Sequence, residues 1–186
     1  MFGVHEFSLS ARLRSRWQAF AKDRRGAAAV EFAMIAAPFF FLIFGLLEVC
    51  LIFIMTTIME NAVSEAARPL RTGEAQGAGM TEADFRDAVC AGLLEILECD
   101  GRLSIDVRTA ADFGSTPTGS PLDEDGNLDN DDFMFAAGGA NDIVAVRLFY
   151  EWELITPALS QPLVNMSGNR HLLQASTVFR NEPFGS

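Results

Sequence analysis

The sequence predicts an α+β chain. A long N-terminal transmembrane helix forms a stalk, and a small head of antiparallel sheet plus helix follows on the far side of the membrane. Three observations predict it. Residues 32–59 form an apolar run whose one ionisable side chain is Glu48. Beyond the middle of that run Met55, Ile58, Met59, Ala62, Val63 and Ala66 recur at helical spacing. Further on, three stretches alternate apolar and polar residues with the period of a strand.

The elements follow in order. Residues 1–26 form a basic leader: Arg12, Arg14, Arg16, Lys22, Arg24 and Arg25 face only Glu6 and Asp23. Positively charged flanks stay cytoplasmic, so the N-terminus is inside and everything after about residue 60 is outside. At ~1.5 Å per residue the apolar run exceeds a bilayer core of ~30 Å, which predicts a single pass. The helix should run from about residue 27 to Arg68, where Pro69 disfavours its continuation. Pro38 removes one hydrogen bond and predicts a bend within the membrane. The stalk's upper half is amphipathic, with Thr56, Thr57, Glu60, Asn61, Ser64, Glu65 and Arg68 opposite the apolar positions.

Residues 71–80 hold Gly73, Gly77 and Gly79 and read as a linker that reverses the chain. A second helix should start at Thr81, with Asp84 in the capping-box position and Phe85, Val89, Leu93, Ile96 and Leu97 as its apolar face. Three strands follow. Leu103, Ile105 and Val107 alternate with Ser104, Asp106 and Arg108. Val144, Val146, Leu148, Tyr150, Trp152 and Leu154 share one face of residues 143–155. Leu173, Ala175, Thr177 and Phe179 share one face of residues 171–180. Residues 114–141 read as a long loop and 157–166 as a short helix or loop between the last two strands. The predicted organisation is a leader at 1–26, a transmembrane and stalk helix at 27–69, and an exported α+β domain at 70–186.

Composition narrows the function. The chain carries a formal charge of −11, and removing the leader's +4 leaves −15 on the remainder. That argues against nucleic-acid binding, which needs clustered cations. Cys50 lies in the apolar run, whereas Cys90 and Cys99 lie in the exported part, where an oxidising compartment permits a disulfide. Spacing alone leaves two readings open, a bridge or two free thiols. With only His5 and His171, a zinc site is not expected. Asp123, Asp125, Asn127, Asp129 and Asp131 alternate as calcium ligands do. Leu128 and Met134, however, replace the turn glycine and the bidentate carboxylate of an EF-hand, and a solvated acidic loop is the competing reading. No nucleophile elbow or phosphate-binding glycine loop is present, so the sequence predicts no enzyme and no cofactor.

Gly26 closes the basic leader and Glu31 is the fifth residue after it. This arrangement resembles the prepilin-peptidase site of type IV pilins, where cleavage follows the glycine. The resemblance widens along Arg25-Gly26-Ala27-Ala28-Ala29-Val30-Glu31-Phe32-Ala33, Pro38, Glu48 and Ser64-Glu65-Ala66-Ala67-Arg68. It extends to Cys90 and Cys99 flanking a short helix and to the closing Val178-Phe179-Arg180-Asn181-Glu182-Pro183-Phe184. Together these are similar to the TadE-like family, small pilin-like proteins of the tight-adherence (Tad, or Flp) pilus machinery of bacteria. The resemblance implies a minor pilin-like or pseudopilin-like assembly component. Its location would be the inner membrane with a periplasmic head, and its partners a prepilin peptidase, other pilin-like subunits and the Tad machinery. Gly26, Ala27, Glu31 and Phe32 would form the processing site. Glu31 would then pair with a neighbour's new amino terminus, since either charge alone is costly in an apolar setting. Glu48 reads either as an interfacial carboxylate that snorkels to water or as a contact to another subunit within the membrane. The alternative function is a permanently anchored envelope protein whose acidic head binds a partner or calcium.

Overall fold

A computed structural model describes residues 26–93, 97–156 and 159–185. The chain divides into two compact units, Met1–Phe44 and Gly45–Ser186. Among the described residues of the first, nearly every side chain is exposed, with Phe32, Met34 and Ile35 each more than 70% accessible. The second holds the rest of the long helix and the head.

Helix α1 spans Ala27–Ala66 and passes through Pro38 without interruption. The expected stop at Arg68 does not occur. Ala67 keeps helical dihedrals (φ −75°, ψ −14°), and α2, Arg68–Thr72, follows directly. Ala67 N donates to Val63 O at 2.9 Å and Arg71 N to Ala67 O at 3.1 Å. Pro69 falls in the first turn of α2, the place where a missing N–H costs least. The helical path ends at Gly73, whose φ of 85° few other residues adopt. A Cβ there would also lie 2.3 Å from the Phe184 ring.

The expected linker contains another helical turn, α3, at Glu74–Ala78, ended by Gly79 at φ 67°. Helix α4, Glu82–Gly92, starts with the capping box read from the sequence: Thr81 N donates to Asp84 Oδ2 at 2.9 Å, and Asp84 N to Thr81 Oγ1 at 3.3 Å. The Thr81 hydroxyl, which donates to Asp84 Oδ2 at 2.7 Å, and after it the Thr81 N–H hold the exposed Asp84 carboxyl below its ordinary range. The helix ends at Gly92, short of the expected Leu97; residues 94–96, Ile96 among them, lie outside the described residues. Cys90 is therefore inside α4 rather than before a separate helix. A disulfide joins it to Cys99 with a Cα–Cα distance of 6.1 Å.

The sheet has order β1-β2-β3, from Leu103–Ala110, Ile143–Glu153 and Arg170–Arg180, and both pairings are antiparallel. Its inner face carries Leu103, Ile105, Val107, Val144, Val146, Leu148, Tyr150, Leu173 and Ala175. This face forms one core with Met55, Met59, Ala62 and Val63 of α1 and with Phe85 and Val89 of α4. Burial pushes the Tyr150 hydroxyl above its usual range, partly opposed by the charge of Arg102.

The other face is also covered, which the alternation did not reveal. Every residue of β2 from Ile143 to Tyr150 is buried. Phe149, Met166 and Leu172 form a second core, packed by Leu122, Leu128 and Phe133 from the long loop. Beneath it Asp106, fully buried, accepts from Arg147 Nε and Nη2 at 3.0 and 2.7 Å. Arg108 Nε donates to it at 2.9 Å, and Met134 N at 3.3 Å.

Candidate functional site

Gly26 is exposed, and a Cβ built on it meets nothing within 4 Å. The described fold therefore does not demand glycine there. Glu31 is exposed one turn into α1, beside Phe32 at 71% accessibility. The helical stretch Ala27–Thr72 is long and apolar enough to cross a membrane. Val30, Phe32, Met34, Ile35, Phe39, Phe40 and Phe41 leave it apolar on all sides, as a lipid-facing helix is.

Glu48 is treated differently from either expectation. It is 2% exposed and is enclosed by its own chain. Ile155 N donates to Glu48 Oε1 at 2.5 Å and Thr156 N to Oε2 at 3.2 Å. The Thr156 and Ser160 hydroxyls also donate to Oε2, and they lie 2.9 Å from each other. Four donors thus satisfy one carboxylate, which is how a buried anion is tolerated. Glu48 neither snorkels to solvent nor stands free for a neighbouring subunit. It fastens the turn after β2 to the stalk helix. Sequence reasoning flagged the glutamate but missed its partners, which lie more than a hundred residues away. The one available signal was Thr156 and Ser160, two hydroxyls four residues apart after the strongest strand.

The acidic loop folds on itself. Asp123 Oδ1 accepts from Asn127 N at 2.7 Å, Asp123 N donates to Asn127 O at 2.9 Å, and Gly126 turns the chain at φ 77°. The bond from Asn127 N is the main cause that keeps the exposed Asp123 carboxyl below its usual range. Leu122 and Leu128 bridge across this turn and pack downward, while Asp125, Asp129 and Asp131 face solvent. Among the described residues no group of three or more His, Cys, Asp or Glu side chains is placed to hold a metal ion.

A long, mostly apolar helix that continues into a small head of antiparallel sheet and helices defines a helix-anchored α+β protein. Residues 26–68 match the family model described as TadE-like protein, a match that begins at the exposed glycine and ends as α1 gives way to α2. No curated protein and no solved structure matches the chain.

Proposed function

We propose that the chain is a minor pilin-like or pseudopilin-like component of Tad (Flp type IVb) pilus assembly. It sits in the bacterial inner membrane with its N-terminus cytoplasmic and its head periplasmic. A prepilin peptidase cuts between Gly26 and Ala27. The observation that carries this reading is the TadE-like match over residues 26–68. The steric indifference of the fold to a side chain at residue 26 supports it, because glycine there answers to recognition by a protease cleft rather than to folding.

Cleavage would create an α-ammonium at Ala27, with the exposed Glu31 as fifth residue of the new chain. A charged pair between Glu31 of one subunit and the amino terminus of its neighbour sets the register of packed helices in a medium where neither charge is stable alone. Because Glu48 is committed within its own chain, the intersubunit role falls to Glu31. The work is helix packing in or near the bilayer and involves no catalysed reaction.

Intact mass and N-terminal sequencing of the membrane-extracted protein test the reading, beside a Gly26→Lys variant. The expected mature chain starts at Ala27, and the variant keeps its leader. An unprocessed wild-type chain, in cells that process a known pilin, would overturn the pilin-like route in favour of a permanent signal anchor.

A further inference from the structure

The sheet has two edges, and the long loop is bonded to the middle of one of them, at Val107 of β1. Beside β1, Val107 N donates to Met134 O and Ala136 N to Val107 O, both at 2.8 Å, so the end of the long loop lies against that edge. The free groups of β3 follow from its register. Glu151 N donates to Arg102 O at 3.2 Å, so the odd-numbered residues of β2 face β1 and the even-numbered ones face β3. With Val146 opposite Thr177, the odd-numbered residues of β3 then face β2 and its even-numbered residues face outward.

Both ends of this outer edge are stopped. Arg170 O accepts from Asn165 N and Met166 N at 3.3 and 3.2 Å, and Leu172 N donates to Asn165 Oδ1 at 2.7 Å. At the far end Glu182 N donates to Arg71 O at 2.8 Å. Between these stops the backbone groups of Gln174, Ser176, Val178 and Arg180 point outward, with no strand beside them among the described residues. Exposed edges are usually blunted by charge, proline or a bulge. Residues 172–179 read Leu-Leu-Gln-Ala-Ser-Thr-Val-Phe, without charge or proline, in unbroken register with β2.

The charges beside this edge are as unusual as the edge itself. Among the described residues Arg86, Arg102, Arg108, Arg147 and Arg170 each pair with a carboxylate. Arg71 reaches Glu182 only at 3.7 Å, both side chains being about half exposed. Arg68 and Arg180 make no ion pair among the described residues. Arg68 and Arg71 line a cleft of about 280 Å³ together with Ser64, Glu65, Thr177 and Phe179, and Arg180 ends the open edge. On a chain of net charge −11, Arg68 and Arg180, the arginines without an ion pair among the described residues, both lie by this edge.

We propose that the outer edge of β3 is a docking site for an extended, acidic segment of a partner polypeptide. The segment adds a fourth strand through the backbone of Gln174, Ser176 and Val178 and sets a carboxylate against Arg68 or Arg180. Pairing of two β3 edges does not suit the site, because residues 172–179 offer no carboxylate.

The test uses the full chain in nanodiscs and two synthetic seven-residue peptides of alternating Val and Thr, one carrying two Glu and its twin two Lys. The acidic peptide should slow amide exchange at Gln174, Ser176 and Val178 and bind about tenfold or more tightly than the basic one. An Arg68→Gln, Arg180→Gln double variant should lose that preference. Ser176→Pro should abolish binding while leaving the ladder to β2 intact, since the N–H it removes points outward. If the proline variant fails to fold, the arginine variant decides alone. The proposal is overturned if neither peptide slows those amides, if both bind equally, or if the preference survives in the arginine variant. Slowing that rises with protein concentration without peptide would also overturn it, in favour of edge-to-edge self-pairing.

Discussion

Asp106 sits on what a period-two reading makes the solvent face of β1, yet it has no solvent exposure and holds two guanidinium groups. Its desolvation is offset only because Arg147, Arg108 and the Met134 amide fill its lone pairs. Arg147, itself 6% exposed, also stacks over Phe149 at 5.2 Å. Removing the anion would leave the Arg147 charge buried and unpaired, so Asp106→Ala should lower head stability by ~3–5 kcal/mol in urea unfolding. A loss under 1 kcal/mol would mean that Arg147 finds water instead. Tyr150 gives a second residue-scale test, because it is the one tyrosine in the chain. Its folded pKa is raised, chiefly by burial, so the folded state favours the neutral phenol. The stability this contributes is fully present below the unfolded value of about 10 and is lost as pH rises through the higher folded value. A tyrosinate absorbance titration of the folded protein should therefore have its midpoint above that of a denatured sample; coincident midpoints would show the phenol to be solvated.

At the scale of elements, the contact between α4 and α1 depends on a missing side chain. A Cβ at Gly92 would lie 2.9 Å from Ala62 Cβ and 3.1 Å from its Cα, and the latter cannot move without moving α1. Gly92→Val should therefore cost ~1–3 kcal/mol, read as a lowered melting temperature, while Ala91→Val, on an exposed position beside it, should change little. The three strands were legible because their inner faces keep strict alternation, and the Thr81 cap because its side-chain spacing is local. The helical stop was misplaced because proline is judged by position within a helix: Pro69 falls in a first turn, where it is tolerated, and the real terminator is Gly73. The second core was hidden for another reason. Leu122, Leu128 and Phe133 stand singly in a polar, acidic segment, and nothing local tells that they meet Phe149. The Glu48 enclosure was illegible in the same way, since its donors come from the far end of the chain.

At the scale of the molecule, the question is which part of the apolar run faces lipid. Residues 32–59 would rise ~42 Å, more than a ~30 Å hydrocarbon core requires. The structure divides the run: Met55 and Met59 belong to the head's core, and Glu48 is enclosed by the head's own turn. On the face carrying Cys50, Phe53 and Ile54 the helix stays apolar and exposed for about two turns beyond Glu48, ending at Thr57. A bilayer with one headgroup layer at Glu31 would reach its other headgroups between Glu48 and Ile54, which predicts Thr57 in water. Thiol labelling tests this, because a maleimide reacts only where water reaches the sulfur and the Cys90–Cys99 pair is already bonded. In a Cys50→Ser background reconstituted in liposomes, Leu42→Cys should resist a membrane-impermeant maleimide and Thr57→Cys should label fully. Equal protection at both positions would place the whole run in lipid and separate Met55 and Met59 from the head core. Labelling at Leu42→Cys would instead mean that the first half of the helix is not the span.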